Sequence, residues 1–216
     1  MEVIKPSVVV MWNDVERMLQ KIECAYRICY QSKADEKNRD AFIRACMKRG
    51  HYSPLEHESI TVVVTCDRGV THEIVRHRIA SYSQESTRYC NYVFSQKNPM
   101  GIKFIEPIFW DKYSEDKRVR ELYLLWENHM DESEFVYNKM LELGAKPQEA
   151  RTVLPNSLKT QIMITMNLRE WRHFFNLRSL GTTGTPHPQM KQVADALLES
   201  FNEHLQVIFG DLEVEV

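Results

Sequence analysis

An α+β protomer is predicted, a single domain over residues 1–216 in which long helices pack a central mixed or antiparallel sheet. Three features predict it. Runs rich in Val, Ile and Thr at residues 7–11, 60–66 and 160–166 read as strands. Amphipathic stretches of helical period stand between and after them, the longest at residues 117–143 and near the C-terminal end. The 216 residues suit one substantial core, since single cores serve chains up to roughly 250–300 residues.

In chain order, the strand at residues 7–11 is followed by Asn13 or Asp14, either of which can cap a helix striped by Val15, Met18, Leu19, Ile22 and Ala25. A second helix carries Phe42, Ile43, Cys46 and Met47 and stops at Gly50. His51 to His57 form a loop ahead of the strand at 60–66. Asp67 then caps a helix through Val70, Ile74 and His77, which puts Arg76 to Arg78 on that helix and residues 81–89 at and beyond its end. Residues 91–103 read as loop and strand edge, and 111–116 as a charged turn. For residues 117–143 the apolar positions Val119, Leu122, Leu125, Trp126, Val136, Met140 and Leu143 predict one long helix or a broken pair, ended by Gly144. Pro147 and Pro155 bound a short helix. After the strand at 160–166, Asn167 and Glu170 form a capping box for a helix with Trp171, Phe174 and Phe175 on one side and Arg169, Arg172, His173 and Asn176 on another. Residues 181–188 are a turn-rich loop to which no role is assigned. The last helix buries Val193, Ala194, Leu197, Leu198, Phe201, Leu205 and Ile208 and closes at Gly210.

The bulk numbers narrow the function classes. An apolar share of 43%, a charged share of 27% and a net charge of −2 are those of an ordinary globular chain, not a generic nucleic-acid or anionic-membrane binder. No apolar run reaches the roughly 20 residues of a membrane span and no signal peptide opens the chain, so a cytoplasmic protein is expected. Five cysteines without a Cys-x-x-Cys pair read as reduced thiols. With neither a Gly-x-Gly-x-x-Gly turn nor a Walker loop, any phosphate must be held mostly by side chains.

The chemistry concentrates in residues 76–89. Arg76, Arg78 and Arg88 bring guanidinium forks, Ser81, Ser83, Ser86 and Thr87 bring hydroxyls and Gln84 an amide, a set suited to phosphate oxygens and base edges. Arg-His-Arg, two residues, Ser, four residues, Ser, one residue, Arg resembles the signature of the flavin-dependent thymidylate synthases. Arg76, His77, Arg78, Ser81, Ser86 and Arg88 fill every fixed position. Two later segments are similar to that family as well: Ala-Arg, two residues, Leu-Pro at 150–155, and Asn-x-Arg, three residues, His, four residues, Arg at 167–178. His51, four residues, then Glu56-His57 matches the family's segment ahead of the signature strand. The likeness spans about residues 50–181.

That resemblance implies reductive methylation of dUMP to dTMP, with methylenetetrahydrofolate as carbon donor and FAD passing hydride from NADPH or NADH. It implies nucleotide contacts from Glu73, Arg76, Gln84, Glu85, Ser86, Thr87, Arg88, Arg151 and Arg178. Flavin contacts are implied for His51, Ser53, Arg76, His77, Arg78, Gln84, Asn167, Arg169 and His173. Arg178 falls on the arginine that activates the pyrimidine, and no metal is expected. Arginine keeps its proton at neutral pH, so Arg178 is assigned charge stabilisation and not general-base work. Gln84 stands where some relatives carry Glu, a departure expected to alter affinity and not abolish activity. Relatives assemble as tetramers with sites at subunit junctions, and a homotetramer is expected here. Two rivals stand beside this reading: a non-catalytic nucleotide- or RNA-binding module using the basic helix, and a metal-dependent phosphohydrolase using His51, His57, His72 and His77.

Overall fold

The computed structural model describes residues 1–33, 38–93 and 101–212. Its strands are β1 (Glu2–Ile4), β2 (Ser7–Met11), β3 (Ser59–Asp67), β4 (Ser81–Gln84), β5 (Lys103–Ile105) and β6 (Lys159–Asn167). Its helices are α1 (Val15–Tyr30), α2 (Arg39–Lys48), α3 (Arg68–Ile74), α4 (Lys117–Glu142), α5 (Pro147–Ala150), α6 (Leu168–Arg178) and α7 (Pro188–Phe209). The class is α+β. β1 and β5 pair in parallel, and a second sheet has the order β2-β3-β6-β4. Within that sheet Thr61 meets Thr165 and Gln161 meets Thr65, so partner numbers fall as the others rise and β3 and β6 run antiparallel. Among the described residues no helix is long and apolar enough to cross a membrane.

The chain divides into two compact units. The first comprises residues 1–7, 65–74 and 83–162, and the second residues 8–64, 75–82 and 163–216. In the first, α4 buries Tyr123, Met130, Ser133 and Tyr137, and Met130 and Tyr137 cluster with Tyr92, Ile102, Phe104, Ala150 and Leu158. α4 is one continuous helix, but its buried stripe is not the one its aliphatic residues suggest. Leu124, Leu125 and Phe135 stay exposed, while tyrosines that can bury a ring and still satisfy a hydroxyl face inward.

The second unit is built on aromatic rings. Trp171 and Phe175 of α6 meet Phe201 of α7, and Phe175 also meets Phe209, at centroid separations of 5.2–5.7 Å. Phe174 packs on Trp171 and Phe175 at 5.3 and 5.6 Å, and all five rings are fully buried. Trp171 Nε1 donates to the Ile60 carbonyl of β3 at 3.1 Å, so this large residue leaves no orphan donor. Arg172, expected on the polar side of α6, is instead buried. It makes a bidentate pair with Asp211 at 2.6 and 2.7 Å, donates to the Ile208 carbonyl, and lies 5.4 Å from the Tyr52 ring. A guanidinium can be buried here because its donors meet acceptors at the end of α7.

One expected element is corrected. α3 ends at Ile74, so Arg76 lies in the turn after the helix, His77 and Arg78 follow in irregular chain, and Ser81 to Gln84 form strand β4. The spacing of Val70, Ile74 and His77 fits a helix face, but His77 is buried for another reason: tertiary contacts claim it. Tyr82 Oη donates to the His77 carbonyl at 2.6 Å, and the Glu85 amide donates to the Gln161 carbonyl of β6 at 2.9 Å. The basic helix on which the nucleic-acid rival rested does not form.

Candidate active site

The signature is divided between the units: Arg76 to Tyr82 belong to the second, Ser83 onward to the first. Each half has its own partner from one of the two later segments.

In the first unit, Asp67 caps α3 by accepting from the Val70 amide at 2.8 Å, and β4 runs out into the loop holding Ser86, Thr87 and Arg88. Thr87 is buried, and its Oγ1 accepts from Arg151 Nη1 at 3.1 Å. The second recurring segment therefore meets the signature at the residue before Arg88. Arg151 and Arg88 are themselves exposed, and neither has a carboxylate partner among the described residues. Gln84 is braced from behind: its Nε2 donates to Thr71 Oγ1 at 3.1 Å and to Thr160 Oγ1 at 3.3 Å. Glu85 accepts from Tyr92 Oη and from Lys159 Nζ, each at 2.7 Å. Burial first, and then the Glu85 contact, push the Tyr92 phenol well above its ordinary range, so it donates as a neutral hydroxyl. Glu85, Cys90, Tyr92, Lys103, Lys159 and Gln161 line a cavity of about 490 Å³. A larger depression of about 1100 Å³ lies along α1 and contains none of the expected site residues, so size alone does not mark the chemistry.

In the second unit, Asn167 Oδ1 caps α6 by accepting from the Glu170 amide at 2.8 Å. The Glu170 side chain does something else. It is buried, and its Oε1 lies 3.6 Å from His77 Nδ1. His77 is 5% exposed, with the Phe174 ring at 4.9 Å and the His173 ring at 5.9 Å. Its Nε2 accepts from Arg178 Nε at 3.2 Å. Burial, then the Arg178 guanidinium, then His173 lower the His77 pKa from 6.5 to about 4, so the ring is neutral at pH 7. Burial raises the Glu170 pKa against the opposing pull of His173 and Arg169. Arg76 and Arg78 are exposed, without a carboxylate partner among the described residues, and Arg169 pairs with Glu56 at 2.5 Å. His51 is exposed with Nδ1 engaged by the Tyr30 hydroxyl, and Ser53 is exposed at the start of a short 3-10 turn.

His77, Glu170 and His173 offer ligand atoms within 4.8 Å of one another. A divalent cation there would face the adjacent Arg178 charge and would have to displace either the Arg178 hydrogen bond on Nε2 or the proton on Nδ1. The arrangement is better suited to holding a guanidinium. Cys66 is 1% exposed, and burial raises its thiol far above the ordinary range, which removes it from nucleophilic chemistry.

Sequence reasoning therefore named most of the residues that meet, and missed Glu170, Lys159, Tyr92, Thr71 and Thr160. Glu170 was assigned to the helix cap, where its backbone does serve. The one legible signal was its i,i+3 spacing from His173, which puts both on one face of α6.

The family description "Thymidylate synthase complementing protein" matches residues 11–205, which include parts of both compact units. The flavin-dependent thymidylate synthase of Corynebacterium efficiens is 33% identical to this chain, the alignment covering 97% of this chain and 86% of that protein. The one from Pyrococcus abyssi is 36% identical, over 79% of this chain and 70% of that protein. Among solved structures, the UMP/dUMP methylase PolB from Streptomyces cacaoi bound with 5-Br dUMP has the same fold, with a TM-score of 0.77 over 97% of this chain and 96% of that one at 22% identity. Three ordered motifs, the contacts that join the later two to the first, and relatives aligned over most of their length place this enzyme: the chain belongs to the flavin-dependent thymidylate synthase family.

Proposed function

We propose that this protein converts dUMP to dTMP, with methylenetetrahydrofolate as the carbon donor and NADPH or NADH as the reductant, and that residues 1–216 act as one functional domain. The observation that carries the reading is the pair of contacts Arg151 Nη1 to Thr87 Oγ1 and Arg178 Nε to His77 Nε2. Each ties a motif from a distant part of the chain to the signature, and neither has a role in the two hydrophobic cores.

On this reading Ser86, Thr87, Arg88 and Arg151 hold the nucleotide, with Glu73, Arg76, Gln84 and Glu85 shaping that site. The exposed arginines supply charge-assisted donors to phosphate oxygens. Gln84 positions its loop and offers its amide oxygen, because its Nε2 already serves two threonines. Arg178 presents fixed positive charge to a pyrimidine that becomes electron-rich as its C5 reacts. Preorganised charge in a site closed to water contributes several kcal/mol to such a step, about 3–4 kcal/mol for a single donor.

The donor set of the second unit fits a flavin dinucleotide. Arg76 and Arg78 are uncommitted cations suited to a pyrophosphate, while His173 presents an exposed imidazole edge and the buried His77 backs the site. Asn167 has its oxygen used by the helix cap, which leaves its amide group as a donor. Arg169 must loosen its exposed pair with Glu56 to join them, a contact worth at most about 1 kcal/mol. His51 and Ser53 complete the set. FAD, when bound, would supply hydride transfer.

We also infer a homotetramer with sites at subunit junctions. Leu124, Leu125 and Phe135 on α4 and Val9 and Met11 on β2 are exposed apolar side chains of the kind an interface covers. The purified protein is expected to be yellow, to bleach with NADPH, and to regain colour as it forms dTMP on addition of dUMP and methylenetetrahydrofolate. A colourless protein that forms no dTMP when supplied with FAD overturns the proposal.

A further inference from the structure

We propose that Glu170 is a positioning residue that acts on Arg178 through His77, by keeping the imidazole proton on Nδ1 so that the Nε2 lone pair accepts from Arg178 Nε and fixes the plane of the guanidinium.

Three placements carry this. Glu170 Oε1 lies 3.6 Å from His77 Nδ1, on the opposite side of the ring from Arg178. Arg178 Nε lies 3.2 Å from His77 Nε2, and a guanidinium has only donors, so that nitrogen must be unprotonated. The ring is buried against Phe174, which keeps water from serving either nitrogen in place of these partners. The proton of a neutral imidazole thus has one place to go, and the group waiting there is a carboxylate. At 3.6 Å the contact is electrostatic and longer than a formed hydrogen bond, which is common in catalytic networks before ligands tighten them.

The choice of an imidazole to hold Arg178 has a chemical consequence. Arginines are commonly fixed by carboxylates, as Arg172 is by Asp211. A carboxylate at the His77 position would orient the guanidinium equally well but offset its charge. A neutral ring accepts from Nε without itself adding a negative charge beside Arg178. The carboxylate is still present in the network, one ring further away. His77 and His173 are the other titratable groups of the cluster, and both lie beside Arg178 or Glu170.

The turnover part of this inference rests on the function proposed above, whereas the protonation of His77 does not. The test therefore has two arms on the purified protein. In the first, ¹⁵N-histidine-labelled protein is examined by NMR, with His77 assigned by its loss in His77→Asn. The Nδ1–H tautomer is expected in the wild type, and an Nε2–H tautomer overturns the proposal whether or not the protein makes dTMP. In the second, Glu170→Ala is expected to lower kcat on the order of 10–100-fold with KM for dUMP changed less than about threefold, as a misoriented group costs rate more than binding. Glu170→Gln, whose amide oxygen can still accept from Nδ1–H, is expected to restore most of kcat. Wild-type kcat in Glu170→Ala, or a Gln variant no better than the Ala variant, overturns the proposal. Absence of dTMP formation in the wild type refutes the assigned reaction and leaves the first arm to decide.

Discussion

The two polar networks reached by the signature are built on different electrostatic plans. In the first unit Glu85 is shared by Lys159 and Tyr92, and Arg151 reaches across to Thr87 with its charge exposed. In the second, Arg178 is held by a buried neutral imidazole, with the carboxylate behind the ring. The first plan suits capture of an anion from water, because exposed guanidinium groups keep their reach and their hydration. The second suits a charge that must stay in one orientation while a reaction proceeds. The difference is between binding and positioning, and it can be tested variant by variant.

Arg178→Ala carries the largest expected effect. Dimming the positioned charge should cut kcat on the order of 10²–10³-fold while dUMP affinity, measured by calorimetry, changes far less. A variant that loses affinity and kcat in equal measure would erase the distinction between the two plans.

Next is the acid response of the second unit. His77 has a folded pKa of about 4 against an ordinary 6.5, so between those values the unfolded chain binds the extra proton and the folded one resists it. The stabilisation is fully present above pH 6.5 and is lost as pH falls to about 4, up to about 3 kcal/mol in all. Urea midpoints across that window should fall less steeply for His77→Gln than for the wild type. Equal slopes would remove the evidence that the imidazole is held neutral.

Arg151→Ala tests the first plan. Loss of one charge-assisted donor is expected to weaken dUMP binding by about 1.5–3 kcal/mol, with kcat at saturating dUMP nearly unchanged. The smallest effect is expected for Gln84→Ala, which loses the Thr71 and Thr160 contacts. It should cost about 1 kcal/mol of stability and reduce nucleotide or flavin affinity a few-fold. Unchanged affinity for both would make Gln84 a brace alone.

Helical periodicity made much of this arrangement legible. The Asp14 cap and the inward Met18, Leu19 and Ile22 of α1 are as its spacing implies, and every apolar residue named for α7 is buried. Periodicity failed where a non-local contact outweighed it. His77 continues the α3 pattern but is buried by α6 and by Tyr82, from 5 to about 100 residues away in the chain. Arg172 and Glu170 look like surface charges of α6, and both are buried because a partner outside the helix meets them. On α4 the fully buried positions are tyrosines and not Leu124 or Leu125, since a tyrosine in a helix reads as ambiguous until its hydroxyl finds a neighbour. The recurring motifs indicated which residues matter. Local pattern could not show that a carboxylate stands behind the histidine.

The pairing of β3 with β6 also governs how the protein comes into being. Thr61 and Thr165 are 104 residues apart in the chain, and Thr65 and Gln161 are 96 apart. On a ribosome, β3 therefore leaves the exit tunnel long before its neighbour has been synthesised, with its branched side chains unshielded. Closure of so wide a loop is slow, and although β2 is already available to one edge of β3, the edge that β6 will cover stays open in the meantime. The β3–β6 half of the sheet can therefore close only after residue 167 is translated.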